Sequence, residues 1–183
     1  LIKHKHWSPY EMANLCVEIE TTRGISAQIL RHRSFSFQEF SQRYADVGEL
    51  GSSVIPHLRR QDTKNRQNSI EADDATYIDD VTDETRSVKT DWKIMQGNMI
   101  SDAIWNYKRA IKMGVAKEVA RSVLPEGLTM SRMYMSGTLR SWIHYCELRV
   151  ANGTQKEHRE LATQCWNIIT EQFPSLKSVL ENQ

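Results

Sequence analysis

Between residues 12 and 20 polar and apolar side chains alternate, with Ala13, Leu15, Val17 and Ile19 on one side and Asn14, Cys16, Glu18 and Glu20 on the other. A period of two over that length predicts a strand with one buried face, because successive side chains of an extended chain point in opposite directions. After Thr21-Thr22 the spacing changes, and residues 24–33 read as a helix with Ile25, Ile29 and Leu30 inward. The stretch SFSFQEFSQRY sets bulky aromatics at 35, 37, 40 and 44 and reads as extended or looped. Residues 48–86 are polar, with Pro56 and mixed charges, and are expected to form a variable surface excursion. A long helix is predicted over 87–112, where Trp92, Met95, Met99, Ala103, Tyr107 and Ala110 recur at three and four and Gly114 follows. Trp92, Trp105 and the Met95/Met99 stripe are read as its core face. A shorter helix over 115–124 stops at Pro125, and a second strand is expected over 128–135. Two further helices, 138–150 and 154–172, are separated by Asn152-Gly153 and closed by Pro174. Strands and helices alternate without a βαβ rhythm. The expectation is an α+β fold, a mixed sheet packed with long helices, in one domain spanning residues 1–183.

Composition narrows the function classes. The 183 residues are 39% hydrophobic and 26% charged, ordinary for a globular chain able to bury a core. A net charge of +1 argues against a nucleic-acid binder working by bulk attraction. No apolar run approaches a membrane span. Cys16, Cys146 and Cys165 are odd in number and form no CxxC pair, which favours reduced, structural thiols in a cytosol-like compartment. The six histidines show no ligand spacing with cysteine or acidic clusters, so no metal site is assigned. Charge is uneven locally: residues 71–84 carry seven acids and no Lys or Arg, whereas 23–43 carry Arg23, Arg31, Arg33 and Arg43 against Glu39 alone.

The second of these stretches can collect an anion. If 39–43 is extended, Glu39, Ser41 and Arg43 share one face. A guanidinium, a hydroxyl and a carboxylate together suit a phosphate and a ribose, with each charge-assisted bond contributing roughly 1.5–3 kcal/mol. Arg31 and Arg33 add cations at the end of the preceding helix. A surface ion-pair cluster, or a nucleotide- or RNA-binding module using these arginines with Phe35, Phe37 and Phe40, is the competing reading of the residues alone.

The full string decides more. RHRSFSFQEFSQRY, in which Arg31-His32-Arg33 is followed after seven residues by Ser41 and then by Arg43-Tyr44, closely resembles the signature of flavin-dependent thymidylate synthases. HKHWSPYE (4–11), KEVARSVLP (117–125), GTLRSWIHYCELR (137–149) and the pair Gln155, Glu157 are similar to further segments of that family, and the resemblance looks closest to viral or phage members. It implies an enzyme that methylates dUMP to dTMP, with methylenetetrahydrofolate as carbon donor, NADPH as reductant and FAD as cofactor. It also implies a homotetramer with active sites shared between subunits, in the cytoplasm of a bacterium or a virus-infected host cell, and no nucleic-acid or membrane partner. Carried over residue by residue, it implies flavin contacts at His6, Ser8, Arg31, His32, Arg33, Glu39, Thr138, Leu139, Arg140 and His144. It implies nucleotide contacts at Gln28, Arg31, Glu39, Phe40, Ser41, Gln42, Arg43, Arg121 and Arg149. Family members usually carry a strand and helix before the HxH segment, and many carry a histidine where Asn152-Gly153 stands here. A flavin reductase that methylates nothing is disfavoured by Ser41, Arg43, Arg121 and Arg149.

The family needs no cysteine nucleophile, and none of the three cysteines lies among the implied ligands. Uracil must then be activated electronically, and Arg149 is the implied agent. At 4 Å and an effective dielectric of ~20, a unit charge pair interacts by roughly 4 kcal/mol. That moves an ionisation by nearly three pH units before desolvation opposes it, roughly what such activation requires. Helical spacing adds a constraint. Arg140 and His144 lie about 40° apart around a helix, but Arg149 lies about 180° from Arg140. Either the helix ends before Arg149 or the block serves sites on two sides.

Overall fold

The computed structural model describes residues 1–44, 53–72 and 74–181. In chain order, 3-10 turns at Ile2–His4 and Ser8–Met12 precede β1 (Asn14–Thr22), α1 (Arg23–Ile29) and β2 (Ser36–Glu39). Two hairpins follow, β3 (Arg59–Gln61) with β4 (Ser69–Glu71) and β5 (Thr76–Ile78) with β6 (Thr85–Ser87). Next come α2 (Val88–Lys112), α3 (Lys117–Ala120), a 3-10 turn Arg121–Val123 and β7 (Met130–Thr138). The chain then forms α4 (Leu139–Val150), α5 (Lys156–Gln172), a 3-10 turn Pro174–Leu176 and α6 (Ser178–Glu181). This is the α+β class that the patterning predicts.

The chain divides into two compact units: Leu1–Glu20, Ile25–Glu39 and Arg132–Gln183 form one, and Thr21–Gly24 with Phe40–Ser131 form the other. The first is built on a three-stranded sheet in the order β1-β7-β2. β2 pairs antiparallel with β7, Phe37 opposite Met135 and Glu39 opposite Met133. Backbone bonds from Leu139 to Ala13 and from Arg23 to Thr129 show that β1 and β7 also run in opposite directions. Both pairings are therefore antiparallel where a mixed sheet is expected. The alternation predicted for β1 holds: Val17 and Ile19 are buried and Leu15 is half-buried, while Cys16, Glu18 and Glu20 are exposed. Met133 and Met135 of β7 bury on the same core. Glu18, Glu20 and Arg132 lie on the outer face, where Arg132 donates to Glu20.

Helices α4 and α5 close over that core. Leu139, Trp142, Ile143, Tyr145 and Cys146 of α4 are buried together with Leu161, Ala162, Cys165, Trp166 and Ile169 of α5. Their spacing at three and four makes one apolar stripe on each helix. Thr138 caps α4, its hydroxyl accepting from the Ser141 N–H at 3.2 Å. The indole N–H of Trp142 donates to the Leu15 carbonyl at 3.1 Å, and its ring meets Phe35 edge-on at 4.9 Å. Gly137 makes room for that ring: a Cβ there would lie 2.5 Å from the Phe35 side chain.

In the second unit the expected excursion holds the two hairpins, and β4, β5 and β6 are exposed throughout. Its residues 48–52 and 73 lie outside the described residues. α2 spans nearly the predicted range, but its buried face is Gln96, Ile100, Ala103 and Tyr107. Trp92, Met95, Met99 and Trp105, read as core from their spacing, are 43%, 59%, 58% and 57% exposed. The face buried within the unit is turned away from the stripe of largest side chains, because Tyr107 packs with Ala120, Leu124 and Val115. The helix expected over 115–124 is one turn of α3 followed by the 3-10 turn. Helix α1 ends at Ile29, short of the predicted 33, and Leu30 is exposed.

Gly137→Ala is expected to lower stability by about 1–3 kcal/mol, since the Phe35 ring must shift in a packed core. The midpoint of chemical unfolding measures it, and Cys16→Ala on the exposed sheet face serves as the neutral control.

Candidate active site

Helix α4 runs unbroken through Arg149, so it does not end before that residue and presents polar side chains on two sides. On one side Arg140, Ser141, Ile143, His144 and Glu147 line a cleft of about 370 Å³ with Trp7, Glu11 and Ser34. Arg140, His144 and Glu147 fall at successive helical steps of four and three, which is why they share a face. The cleft begins at the N-terminal turn of this twelve-residue helix, where the backbone dipole favours an anion, and extends along it to Glu147. Arg140 reaches Glu11 at 3.1 Å, but both side chains are about half exposed, so the pair is weak and an incoming anion can displace it. The Thr138 hydroxyl is committed to the helix cap.

On the other side Arg149 Nε donates to His32 Nε2 at 2.9 Å. His32 belongs to the turn after α1, which is closed by bonds from Leu30 to Ser26 and from His32 to Ile29. Burial, then the neighbouring Arg149 guanidinium, then His144, lower the His32 pKa to about 4. The ring is therefore neutral near pH 7 with a bare Nε2, the state needed to accept from a guanidinium. It packs edge-on to Tyr145 with ring centres 4.9 Å apart. His158 of α5, fully buried, has its pKa lowered to about 4 by burial, then by Arg149 and His32. Its ring lies 3.1 Å from the Tyr145 hydroxyl and 3.3 Å from Gln28 Oε1.

The remaining residues expected in the first unit are placed as follows. His6 and Ser8 flank Trp7, which lines the cleft. Arg31 and Arg33 are exposed in the turn, beyond the end of α1. Glu39, at the end of β2, accepts from the Ser26 hydroxyl at 2.6 Å, and Leu139 is buried in the core.

In the second unit, β2 has already ended, and Ser41–Tyr44 form a turn closed by the bond from Tyr44 N to Ser41 O at 3.1 Å. The single strand face expected for Glu39, Ser41 and Arg43 is therefore absent. Arg43 pairs with Glu118 at 3.1 Å and stacks over the Tyr44 ring. Phe40 is half-buried, and Gln42 is 3% exposed with an Nε2 that meets no partner among the described residues. Arg121 sits half-buried in the 3-10 turn after α3.

The arrangement can be compared with known proteins. A family model described as "Thymidylate synthase complementing protein" matches residues 1–175. A probable flavin-dependent thymidylate synthase of Paramecium bursaria Chlorella virus 1 is 47% identical over 184 aligned residues, covering 98% of this chain and 77% of that protein. The chain belongs to the flavin-dependent thymidylate synthase family. The flavin-dependent thymidylate synthase of Synechocystis sp. is 44% identical with the same coverage. A crystal structure of a UMP/dUMP methylase PolB from Streptomyces cacaoi, bound with 5-Br dUMP, shares the fold at a TM-score of 0.75 and 23% identity, covering 93% of this chain and 71% of that one. This flavin-dependent thymidylate synthase is thus an enzyme, a methyltransferase with a flavin cofactor. No helix among its described residues is long and apolar enough to cross a membrane.

Three features of the site escape sequence reading. Ser34, Glu11 and Glu147 line the cleft; each lies in a segment that carries the resemblance, but none was singled out, and Glu147 had the further signal of its helical spacing from Arg140 and His144. The Arg149–His32 bond joins residues 117 apart. His158 looks like one more helix residue until its burial is seen. At Gly153 φ is +109°, a conformation that a histidine, with its Cβ, would adopt only under strain.

His32 and His158 bind protons more weakly folded, near 4, than at the ordinary value of 6.5. Their contribution to stability is complete above about pH 6.5 and is lost as the pH falls towards 4, where the unfolded chain takes up protons the folded one refuses. The urea midpoint is expected to fall across that window. His32→Gln removes part of the slope.

Proposed function

We propose that this enzyme methylates dUMP to dTMP in the cytoplasm, using methylenetetrahydrofolate as carbon donor, NADPH as reductant and FAD as its flavin. The observation that carries this reading is the Arg149–His32 pair, a cation aimed by a neutral imidazole. Because Nε is committed to His32, the planar fork of Arg149 is fixed and its terminal nitrogens can meet an acceptor in two preset directions. Beside a uracil ring, such a guanidinium stabilises negative charge at N3 or on a carbonyl oxygen, so the ring becomes nucleophilic without a covalent bond to the protein.

The thiols agree with a reaction that uses none of them. Burial pushes Cys165 up to about 12 and raises Cys146 as well, so neither is a thiolate near neutral pH. Cys16 is exposed on the sheet face opposite the core.

The cleft beside α4 suits a flavin: it joins a cation at Arg140, an imidazole at His144, an aromatic wall at Trp7 and a helix N-terminus. When bound, FAD supplies the hydride that completes the methyl group. Arg140 would hold its phosphates in exchange for Glu11, with His6, Ser8, Arg31, Arg33, Glu39 and Thr138 as further contacts. The nucleotide contacts of this reading are Gln28 and Arg149 in the first unit and Ser41, Gln42, Arg43 and Arg121 in the second. Two observations in the second unit support this assignment: the buried Gln42 amide without a partner among the described residues, and an Arg43 whose ion pair is to an exposed carboxylate. Self-association as a homotetramer with shared sites is part of the reading. The exposed Trp92, Met95 and Met99 on α2 offer an apolar face of the kind buried between copies.

Purified protein is expected to show flavin absorbance, or to acquire it with FAD, and dUMP is expected to perturb that spectrum. Arg149→Ala should retain flavin but lose dTMP formation by at least about 100-fold, the size expected when one charge-stabilising donor is removed. Near-normal turnover in that variant removes Arg149 from the chemistry. A colourless protein that FAD cannot reconstitute overturns the reading in favour of a nucleotide-binding module.

A further inference from the structure

Behind the Arg149–His32 pair lies a chain of hydrogen bonds whose direction can be deduced from one end. Gln155 Nε2 lies 2.9 Å from Glu157 Oε2. A carboxylate only accepts, so the amide nitrogen of Gln155 must face it and the Gln155 oxygen must point the other way. That oxygen lies 2.8 Å from Gln28 Nε2, which therefore donates. The Gln28 oxygen is then the atom 3.3 Å from His158 Nδ1, and an amide oxygen requires a proton on that nitrogen. A fully buried imidazole with its proton on Nδ1 and no second charge to balance leaves Nε2 bare. Nε2 accepts from the Tyr145 hydroxyl at 3.1 Å, whose proton burial retains. Every bond points the same way, from Tyr145 through His158, Gln28 and Gln155 to Glu157. Aligned bonds of this kind polarise one another.

We propose that His158 is a positioning residue of the active site: as the Nδ1–H tautomer that Glu157 imposes through Gln155 and Gln28, it anchors the Gln28 oxygen and holds that amide in its one orientation. Gln28 is half-buried and anchored by two partners through one oxygen lone pair and one amide hydrogen. What it can offer a ligand is the second amide hydrogen and the second lone pair, each in a set direction. Reversing the amide would exchange a donor for an acceptor and oppose two oxygens at Gln155. The same ring packs against the site from beneath, since His32 and His158 lie 6.5 Å apart and both contact the ring of Tyr145. His158 touches no ligand in this scheme. It acts through Gln28, and the proposal rests on the reading of Gln28 as a nucleotide contact.

Two measurements test it. Side-chain ¹⁵N NMR of the flavin-loaded enzyme is expected to show His158 neutral with its proton on Nδ1; the Nε2–H tautomer, or a charged ring near pH 7, overturns the chain. His158→Leu is expected to weaken dUMP binding, read from the perturbed flavin spectrum, by about tenfold, the loss of roughly one well-made bond. Flavin content should be unchanged. His158→Asn, whose amide N–H replaces Nδ1–H, should recover most of that affinity even where its melting temperature is as low as that of the Leu variant. Equal dUMP affinity in the unsubstituted enzyme and His158→Leu overturns the positioning role, as does failure of Asn to rescue. Should His158→Leu not fold, Tyr145→Phe breaks the chain upstream of Gln28 and should leave dUMP affinity within about twofold; a loss as large as tenfold there means packing, and overturns the proposal. Absence of dUMP binding by the unsubstituted enzyme with the Nδ1–H tautomer present overturns the nucleotide reading of Gln28, whereas the wrong tautomer with dUMP binding intact overturns the chain alone.

Discussion

Trp142 sits where the constraints on the first unit meet. It is fully buried, so its indole N–H must find a partner within the fold, and it does so at the Leu15 carbonyl of β1. That bond ties α4 to the sheet in one register and one rotation. The edge-on contact with Phe35 then draws in the segment after α1, and Gly137 leaves the space it needs. Once Trp142 faces inward, the helical period leaves no choice for its neighbours. Arg140, His144 and Glu147 must line the cleft, and Arg149 must point to the far side, where His32 stands.

The polar network around His32 and His158 shows the same economy. Two imidazoles and a guanidinium lie close together in a poorly hydrated place, and only one of the three carries charge near pH 7. Burial keeps the rings neutral, and Arg149 adds to the effect by opposing a second positive charge. Neutral rings are also the only ones that can accept: from Arg149 in one case and from Tyr145 in the other. The hydrogen bonds and the charge state therefore require each other, and Arg149 is left as the one cation of the three.

In this member of the family local signals hold together over some segments and part over others. The segment RHRSFSFQEFSQRY reads as one motif, yet it crosses from one compact unit to the other: Glu39 ends β2 in the first, and Ser41–Tyr44 turn within the second. Strand alternation cannot survive such a turn, so the shared face expected for Glu39, Ser41 and Arg43 is lost although each residue is present. The large side chains of α2 tell a similar story. Their spacing shows that one helix face is apolar, but spacing carries no information about whether that face is covered by the same chain.

What the sequence by itself determined is everything local or periodic. The buried face of β1, the extents of α2, α4 and α5, the two-sidedness of α4 and the family signature all follow from short-range patterns, because one backbone geometry fixes which neighbours share a face. Tertiary structure alone decided the rest. It set His32 against Arg149 across 117 residues, buried His158 so that its tautomer and neutrality matter, opened the cleft with Ser34 and Glu11, and left Trp92 and the methionines of α2 uncovered. Each of these depends on desolvation and on partners far away in the chain. A pattern of residue types records which side chains can be buried or paired; only the packed chain decides which of them are.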